Sequence, residues 1–552
     1  MPLELAPIMT PTKWQCHTQS ELPLGLPSSA PVGRWNRTSQ GPNPLRHKRQ
    51  CHTQCELPLG LPSSAPVGRW NRASQGLRHK SSIAALMAVL LLITSSWSQA
   101  QEPDPLDAAL VVQKAVVKAI ADTEDSVVAL ARARKADDSV KTLLKPPAGD
   151  RAEGAGGLPF EPTEFATGVV VDSDGYILTC RHVLGYPEQN DYYVWINGEP
   201  KAAHVLAADG WFDLAVLKVD AVGLSVPKFG DGGAVSKGEF VVALGNPHAI
   251  LKNGGPSATW GMVSNRSMPA PAAPENIREK DLRSLYQDGG LLQTDAKLDL
   301  ATSGGVLVNL KGEVIALTTM FAIEIGYEAS ARYAAPFTAR TQRAVETLKS
   351  GRTIDAGFLG ISLPEPGQQL GRGIPVGGAG AGMPAAAAGI ERDDVITHIG
   401  GVAVKDVNKF RQLVASYQAG DVVAVKYERR RAKRTATVTL AKRPPYENYR
   451  TSYQTSKPPV WRGLHVDYCT VVADTRDVNF DPRGSVVIVS VDEDSPAARA
   501  GLRPRQFISA IEGVRVTTPA DFHKAAKQLT GSVAVRLFES ADGEHLKTIE
   551  PE

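Results

Sequence analysis

This sequence predicts a predominantly β-stranded protein of several domains: a barrel or sandwich unit in the middle and two copies of one smaller module behind it. Three observations lead there. Between Phe165 and about Leu348, short β-type runs recur with turn signals between them. The stretch that begins at Pro384 returns at Pro496 with the same spacing of alanine, glycine and apolar residues. At 552 residues the chain is also too long for one hydrophobic core, given roughly 150 residues per domain.

The hydrophobic fraction of 42%, the charged fraction of 22% and a formal net charge of +3 are those of ordinary globular protein, and they give no reason to expect a nucleic-acid partner. The one strongly apolar run, Ile83 to Thr94, follows Arg78, His79 and Lys80 and precedes Ser98-Gln99-Ala100. That form reads as an export signal at residues 78–100 with cleavage after Ala100. It is too short for a membrane span, and an uncleaved anchor is the alternative. Residues 1–77 form a near-perfect tandem repeat, in which the text from Cys16 returns at Cys51 with Cys55 in place of Ser20. Identity across so polar and Pro-rich a unit does not suit a packed repeat, so this segment is expected to be a misassigned start or to be lost with the signal. Only Cys180 and Cys469 then remain of the five cysteines. They imply no disulfide scaffold, although they could pair if the fold brought them together.

Along the remaining chain, Leu110, Val111, Ala115, Val116 and Ile120 recur at helical spacing, so a helix is expected from Asp107 to about Ala121. A strand from Ser126 and a Pro/Gly-rich mobile loop from Arg134 to Gly157 follow. Strands are expected at Thr167–Val171, Tyr176–Thr179, Tyr192–Ile196, Leu214–Val219, Phe240–Leu244 and Val314–Thr319, with turns at 172–175 and at Asn197-Gly198. Met268 to Gly290 reads as a surface excursion, and Thr338 to Ser350 as a helix that closes the unit. Each copy of the later repeat reads as a short helix, a glycine C-cap and a strand. Arg443 to Pro459 between the copies reads as a linker.

Three segments carry the chemistry. A serine hydroxyl is a poor nucleophile at neutral pH, so hydrolysis through serine needs a histidine to take its proton and a carboxylate to hold that histidine. His182 follows a strand in Thr179-Cys-Arg-His-Val, Asp213 opens Asp213-Leu-Ala-Val-Leu, and Ser303 lies in Thr302-Ser-Gly-Gly. Singly each has an ordinary structural explanation: a turn, a strand cap or a core histidine. As a set they point to a nucleophile, general base and orienting acid, with Ala301 and Ser303 supplying backbone N–H groups for an oxyanion hole.

Residues 165–348 resemble the trypsin-like protease domain of the HtrA/DegP family, through Gly168-Val-Val-Val-Asp-Ser-Asp-Gly-Tyr-Ile-Leu-Thr-Cys-Arg-His, Asp213-Leu-Ala-Val-Leu-Lys-Val and Gln293-Thr-Asp-Ala through Ser303-Gly-Gly. The later repeats resemble PDZ domains. Ala331-Arg-Tyr-Ala-Ala-Pro resembles the segment that lines the family's substrate cleft. The resemblance implies a mainly β fold, a trypsin-like double β-barrel protease domain at 158–350 followed by two PDZ domains (β-sandwich plus helices) at 354–443 and 461–550. The segment at 101–157 precedes the barrels, and the linker at 444–460 separates the modules. It also implies an exported, periplasmic or otherwise extracytoplasmic endopeptidase that needs no ATP or cofactor and acts on misfolded or exposed polypeptides. Assembly as a homo-oligomer, a trimer or a multiple of one, and no stable membrane span after signal removal, complete the expectation.

Two departures sit beside the nucleophile. The family usually has Gly-Asn-Ser-Gly-Gly, whereas this chain reads Ala301-Thr302-Ser303-Gly304-Gly305, and a Cβ at 301 disfavours positive φ. By the resemblance, Lys297 occupies the position that in trypsin-like enzymes lies at the base of the primary specificity pocket, where the family usually has a small or apolar residue. Either it points outward or it favours an acidic residue before the scissile bond. By position, Phe358, Leu359, Gly360 and Ile361 would form the peptide-carboxylate loop of the first PDZ module, and Arg462, Gly463 and Leu464 that of the second. Apolar residues at such a site also serve as core, and Trp461-Arg-Gly departs from the usual pattern. Cys180-Arg-His182 lacks a second ligand pair, so no metal is assigned. The rival to an active enzyme is a PDZ scaffold or chaperone-like protein whose altered loop has silenced the barrel.

Overall fold

The structure is a computed structural model that describes residues 105–135, 164–246, 255–269, 285–297, 302–319, 332–364, 371–444, 452–472, 485–539 and 543–551. These belong to one compact unit, Ala100–Glu552. The tandem repeat, the export signal, most of the loop after Arg134, and Ala301 lie outside the described residues.

A helix at Pro105–Ala121 leads through a short 3₁₀ turn into the first strand. Thirteen strands then follow: Val127–Arg134 (β1), Glu164–Asp172 (β2), Tyr176–Cys180 (β3), Asn190–Ile196 (β4), Glu199–Asp209 (β5), Leu214–Val219 (β6), Lys228–Phe229 (β7), Phe240–Gly245 (β8), Ser257–Met268 (β9), Leu291–Thr294 (β10), Val306–Asn309 (β11), Glu313–Thr319 (β12) and Arg332–Pro336 (β13). The order β5-β4-β1-β2-β3-β6, closed by pairing of β5 with β6, makes one six-stranded barrel. The order β11-β8-β9-β10-β13-β12, closed by β11 with β12, makes a second, with β7 added to the outside of β12.

Closure works because alternate residues of a strand face opposite sides. In β3, Ile177 fills the first barrel with Leu130, Val194 and Leu217, while its neighbour Leu178 faces outward into a shared layer with Leu214, Val242, Leu244 and Val306. In β11, Leu307 fills the second barrel with Val241, Leu292 and Ile315, while Val306 and Val308 face that layer. The two barrels thus share one apolar seam. Asn197 (φ 51°) and Gly198 (φ 81°) make the two-residue turn between β4 and β5, in the left-handed pair that suits the twist of a hairpin.

The helix Ala339–Lys349 begins where Thr338 accepts the N–H of Thr341 and lays Ala344, Val345 and Leu348 on the seam. Behind it the two repeat modules fold alike. Pro384–Ala387 ends at Gly389 (φ 79°) before the strand Val395–Ile399, and Pro496–Arg499 ends at Gly501 (φ 73°) before Phe507–Ile511. The first module is built around Ile374, Ile396, Phe410, Val425 and Val438, the second around Leu464, Ile488, Ile508, Phe522 and Leu537.

The linker differs from its expectation. Tyr453 and Gln454 form a short strand that pairs with Ala208 and Ala207 of β5. β4 stops pairing with β5 at Ala203, which leaves the edge beyond it open, and the linker covers it. Thr455 adds bonds from its N–H and its hydroxyl to the Leu206 carbonyl (3.0 and 2.9 Å), and Ser456 N–H reaches the Gly351 carbonyl (2.9 Å). Cys180 and Cys469 are both buried, and neither is in a disulfide, so they do not pair.

Candidate active site

Strand register brings His182 to Asp213. In the antiparallel pair β3 and β6, Cys180 stands opposite Leu214, so the residues that leave β3 meet those that enter β6. His182 sits in the 3₁₀ turn Arg181–Leu184 directly after β3, and Asp213 directly before β6 in a left-handed conformation (φ 51°). Its carbonyl accepts the Arg181 N–H at 3.1 Å.

Ser303 comes from the other barrel, just ahead of β11. Its carbonyl accepts the Thr167 N–H (3.0 Å), Gly304 N–H donates to the Thr318 carbonyl (2.9 Å), and the Thr318 hydroxyl donates to the Thr302 carbonyl (2.5 Å). Thr179 donates to the Thr167 carbonyl (2.7 Å), and the Cys180 thiol donates to the Thr318 carbonyl (3.4 Å). These bonds stitch the two barrels at the seam and hold the serine loop against β2 and β3.

The result is one continuous chain of contacts. His182 Nδ1 lies 2.8 Å from Asp213 Oδ2 and 3.0 Å from Oδ1, and Nε2 lies 3.0 Å from Ser303 Oγ. The His182 backbone N–H also donates to Asp213 Oδ1 at 3.0 Å, which fixes the carboxylate against the ring. All three side chains are nearly buried, with Ser303 only 1% exposed. Such a chain lets the imidazole take the hydroxyl proton as the oxygen attacks a carbonyl, while the carboxylate holds the ring and stabilises the imidazolium that forms.

The ligand-type atoms of Cys180, His182 and Asp213 lie within 4.8 Å of one another. Both ring nitrogens of His182 are nevertheless committed, one to Asp213 and one to Ser303, and the Cys180 thiol is turned to Thr318. The contacts thus tie His182 to Asp213 and Ser303 and leave Cys180 outside that chain. Lys297 is exposed, and its carbonyl accepts the Thr259 hydroxyl (2.7 Å).

Two neighbours of the relay went unread in the sequence. Tyr286 is buried beside Asp213 and Cys180; burial pushes its phenol well up, and both groups add to that while Arg340 opposes it. Asp209, at the end of β5, accepts the N–H groups of Trp211 and Phe212 on Oδ1 (3.0 Å each) and of Ile354 on Oδ2 (3.1 Å). Burial nevertheless pushes its carboxyl up to about 6, since desolvation outweighs those bonds. A signal for Asp209 was present: an Asp two residues before a bulky turn is a common acceptor for the turn's own N–H groups.

In the first PDZ module Leu359 is buried and Phe358 and Ile361 half-buried, with Gly360 left-handed (φ 76°). The Leu359 carbonyl accepts the Ala385 N–H, and Ile361 pairs with Ala379. In the second, the side chain of Arg462 turns into the module. Its guanidinium donates to the carbonyls of Ile549 (2.8 Å), Leu529 (3.1 Å) and Gly531 (2.7 Å), beneath the Trp461 ring. Gly463 is left-handed, and the Leu464 N–H donates to the Trp461 carbonyl (2.9 Å).

Residues 166–317 match the trypsin-like peptidase domain, and 357–440 and 487–539 match PDZ domains. The chain is therefore a trypsin-like serine endopeptidase with two PDZ domains. Among curated proteins it is 29% identical over 396 residues to a probable periplasmic serine endoprotease DegP-like of Brucella suis, covering 68% of this chain and 71% of the relative. The protein of the same name from Chlamydia trachomatis is 25% identical over 386 residues, covering 68% and 72%. Among solved structures, the HtrA-type protease AlgW with decapeptide is 22% identical with a TM-score of 0.43, covering 60% of this chain and 99% of its own. The chain is HtrA/DegP-like in its domain composition, one trypsin-like peptidase domain and two PDZ domains.

Proposed function

We propose that Ser303, His182 and Asp213 are the nucleophile, general base and orienting acid of an exported, ATP-independent endopeptidase that cleaves misfolded or otherwise exposed polypeptides. The observation that carries this is the position of His182, 2.8 Å from Asp213 and 3.0 Å from Ser303 across the seam between two barrels. The backbone N–H groups of Ser303 and Ala301 are assigned to the oxyanion hole. Export rests on the signal at residues 78–100 and on relatives named as periplasmic, and no helix among the described residues is long and apolar enough to cross a membrane. Mass spectrometry of the mature protein tests it: an N-terminus at Gln101 is expected, and a retained Met1 contradicts it.

The PDZ modules are assigned to capture of polypeptide tails, the first through Phe358 to Ile361. Gly463 and Leu464 are assigned the same role in the second, where Arg462 contributes its backbone. A homo-oligomer, a trimer or a multiple of one, is proposed. Apolar surface for it is present at Leu106, Val111 and Val117 of the first helix and at the stacked Phe240 and Trp260. Digestion of casein by the purified chain and by Ser303→Ala is the test: equal residual activity in both removes the enzyme assignment and leaves the scaffold.

A further inference from the structure

The turn that carries Asp213 is tied down from outside its own barrel. Asp209 closes β5, and Gly210, Trp211 and Phe212 lead from it to Asp213. The Gly210 N–H donates to Ser452 Oγ of the linker (3.2 Å), the Trp211 carbonyl accepts the Leu285 N–H (2.8 Å), and the Arg443 guanidinium lies 3.3 Å over the Trp211 ring. At the centre is the Asp209 carboxylate, 3% exposed, with one oxygen on the turn and the other on Ile354 in the segment that leads into the first PDZ domain.

We propose that Asp209 is a positioning residue for the reaction: its carboxylate fixes the turn that presents Asp213 to His182 and fastens that turn to the segment entering the first PDZ domain. The proposal rests on the triad reading above. Its physical basis is that Asp213 is held in a left-handed conformation, less costly for Asp than for most residues with a Cβ but still dependent on the bonds that fix the turn around it. Asp213 makes three contacts to His182, all within 3.0 Å, so a small rotation of the turn loses them together.

The site needs an anion, because both oxygens of Asp209 face N–H donors. A neutral acid or an amide turns one of those acceptors into a donor. With its carboxyl pushed up to about 6, Asp209 takes a proton just below neutral pH. The charged groups around it are Asp355, which raises it further and is itself held by Lys442 (2.9 Å), and Arg443 on the Trp211 ring. The sign separates this role from a purely structural one. A carboxyl raised on folding contributes stability at acid pH that is lost as pH rises from about 4 to about 6. Protonating Asp209 therefore releases the turn without loosening the fold.

The test uses the full chain, with casein turnover measured from pH 5 to 8 and expressed per site titrated to completion with a fluorophosphonate. In the wild type, activity should fall below pH 6 more steeply than one proton allows. Asp209→Asn should lower kcat per titrated site at least tenfold at pH 7.5, leave KM within twofold and reduce the acid limb to one proton. Ile354→Pro, which removes the donor to Oδ2 together with a half-buried side chain packed on the seam, should lower kcat threefold or more and keep the steep limb; it carries the test if Asp209→Asn does not fold. Values of kcat within twofold of wild type in both variants, or an unchanged limb in Asp209→Asn, overturn the proposal while the triad stands. A wild type no more active than Ser303→Ala overturns both.

Discussion

Gly304, next to the nucleophile, offers the sharpest structural perturbation. It is left-handed (φ 85°), and a Cβ added there would lie 2.0 Å from the Thr167 carbonyl oxygen and 2.3 Å from Thr179 Oγ1. Neither atom can yield cheaply. The Thr167 carbonyl already accepts the Thr179 hydroxyl, and the Thr167 N–H holds the Ser303 carbonyl. Gly304→Ala should therefore cost about 1 kcal/mol for backbone conformation, about 2 kcal/mol for two strained or lost hydrogen bonds and roughly 1 kcal/mol or more of overlap. The sum, about 4 kcal/mol, corresponds to a melting shift of roughly 10 °C. Because the displaced bonds hold the Ser303 loop, the rate of fluorophosphonate labelling should fall at least a hundredfold. Gly198→Ala is the control: the same left-handed backbone (φ 81°) with nothing within 4 Å of the added carbon, so about 1 kcal/mol and unchanged labelling. Gly304→Ala labelled within threefold of wild type and melting within about 2 °C of it would refute the reasoning.

Arg462→Met strands three carbonyls in the second PDZ domain and should destabilise it by about 3 kcal/mol; hydrogen exchange should rise across residues 461–549, and unchanged protection there would be the contrary result. Burial works against the Asp394 carboxylate in the first PDZ domain, but Arg429 and the Glu391 N–H outweigh it and hold its carboxyl below the usual range. Its stabilising contribution is present above about pH 4 and lost as pH falls through the lowered value. Asp394→Asn should therefore weaken the acid dependence of exchange at Val395–Ile399, and an unaltered dependence would count against it. Burial pushes the Cys469 thiol up to about 12, so iodoacetamide at pH 8 should leave it unmodified in the native chain and alkylate it after unfolding. Fast native alkylation would contradict that environment.

Much of the architecture was legible because local chemistry and tertiary demand agree. Thr338 to Ser350 read as a helix and folds as one at Ala339–Lys349, and Asn197-Gly198 read as a turn and closes its hairpin. The repeat around Pro384 and Pro496 gave two modules of one design. The three residue types of the relay were readable as a set, although their meeting depends on the Cys180–Leu214 register and on the seam, which no local pattern encodes. β5 was missed because Glu199–Asp209 is rich in alanine, which favours strands weakly; its pairing with β4 and β6 overrides that. Tyr453 and Gln454 become a strand only because β5 leaves an open edge beside them. Arg462 read as a surface residue of a binding loop, since nothing in the sequence shows that the carbonyls of Leu529, Gly531 and Ile549 converge on it.

Peptide mapping after reaction with a fluorophosphonate tests the central claim most directly, because it reports which hydroxyl is activated. Label should appear on Ser303, disappear in Ser303→Ala, and be strongly reduced in His182→Ala, where the base 3.0 Å from the hydroxyl is gone. Label spread over other residues, or equal labelling of wild type and His182→Ala, would contradict the relay of Asp213, His182 and Ser303.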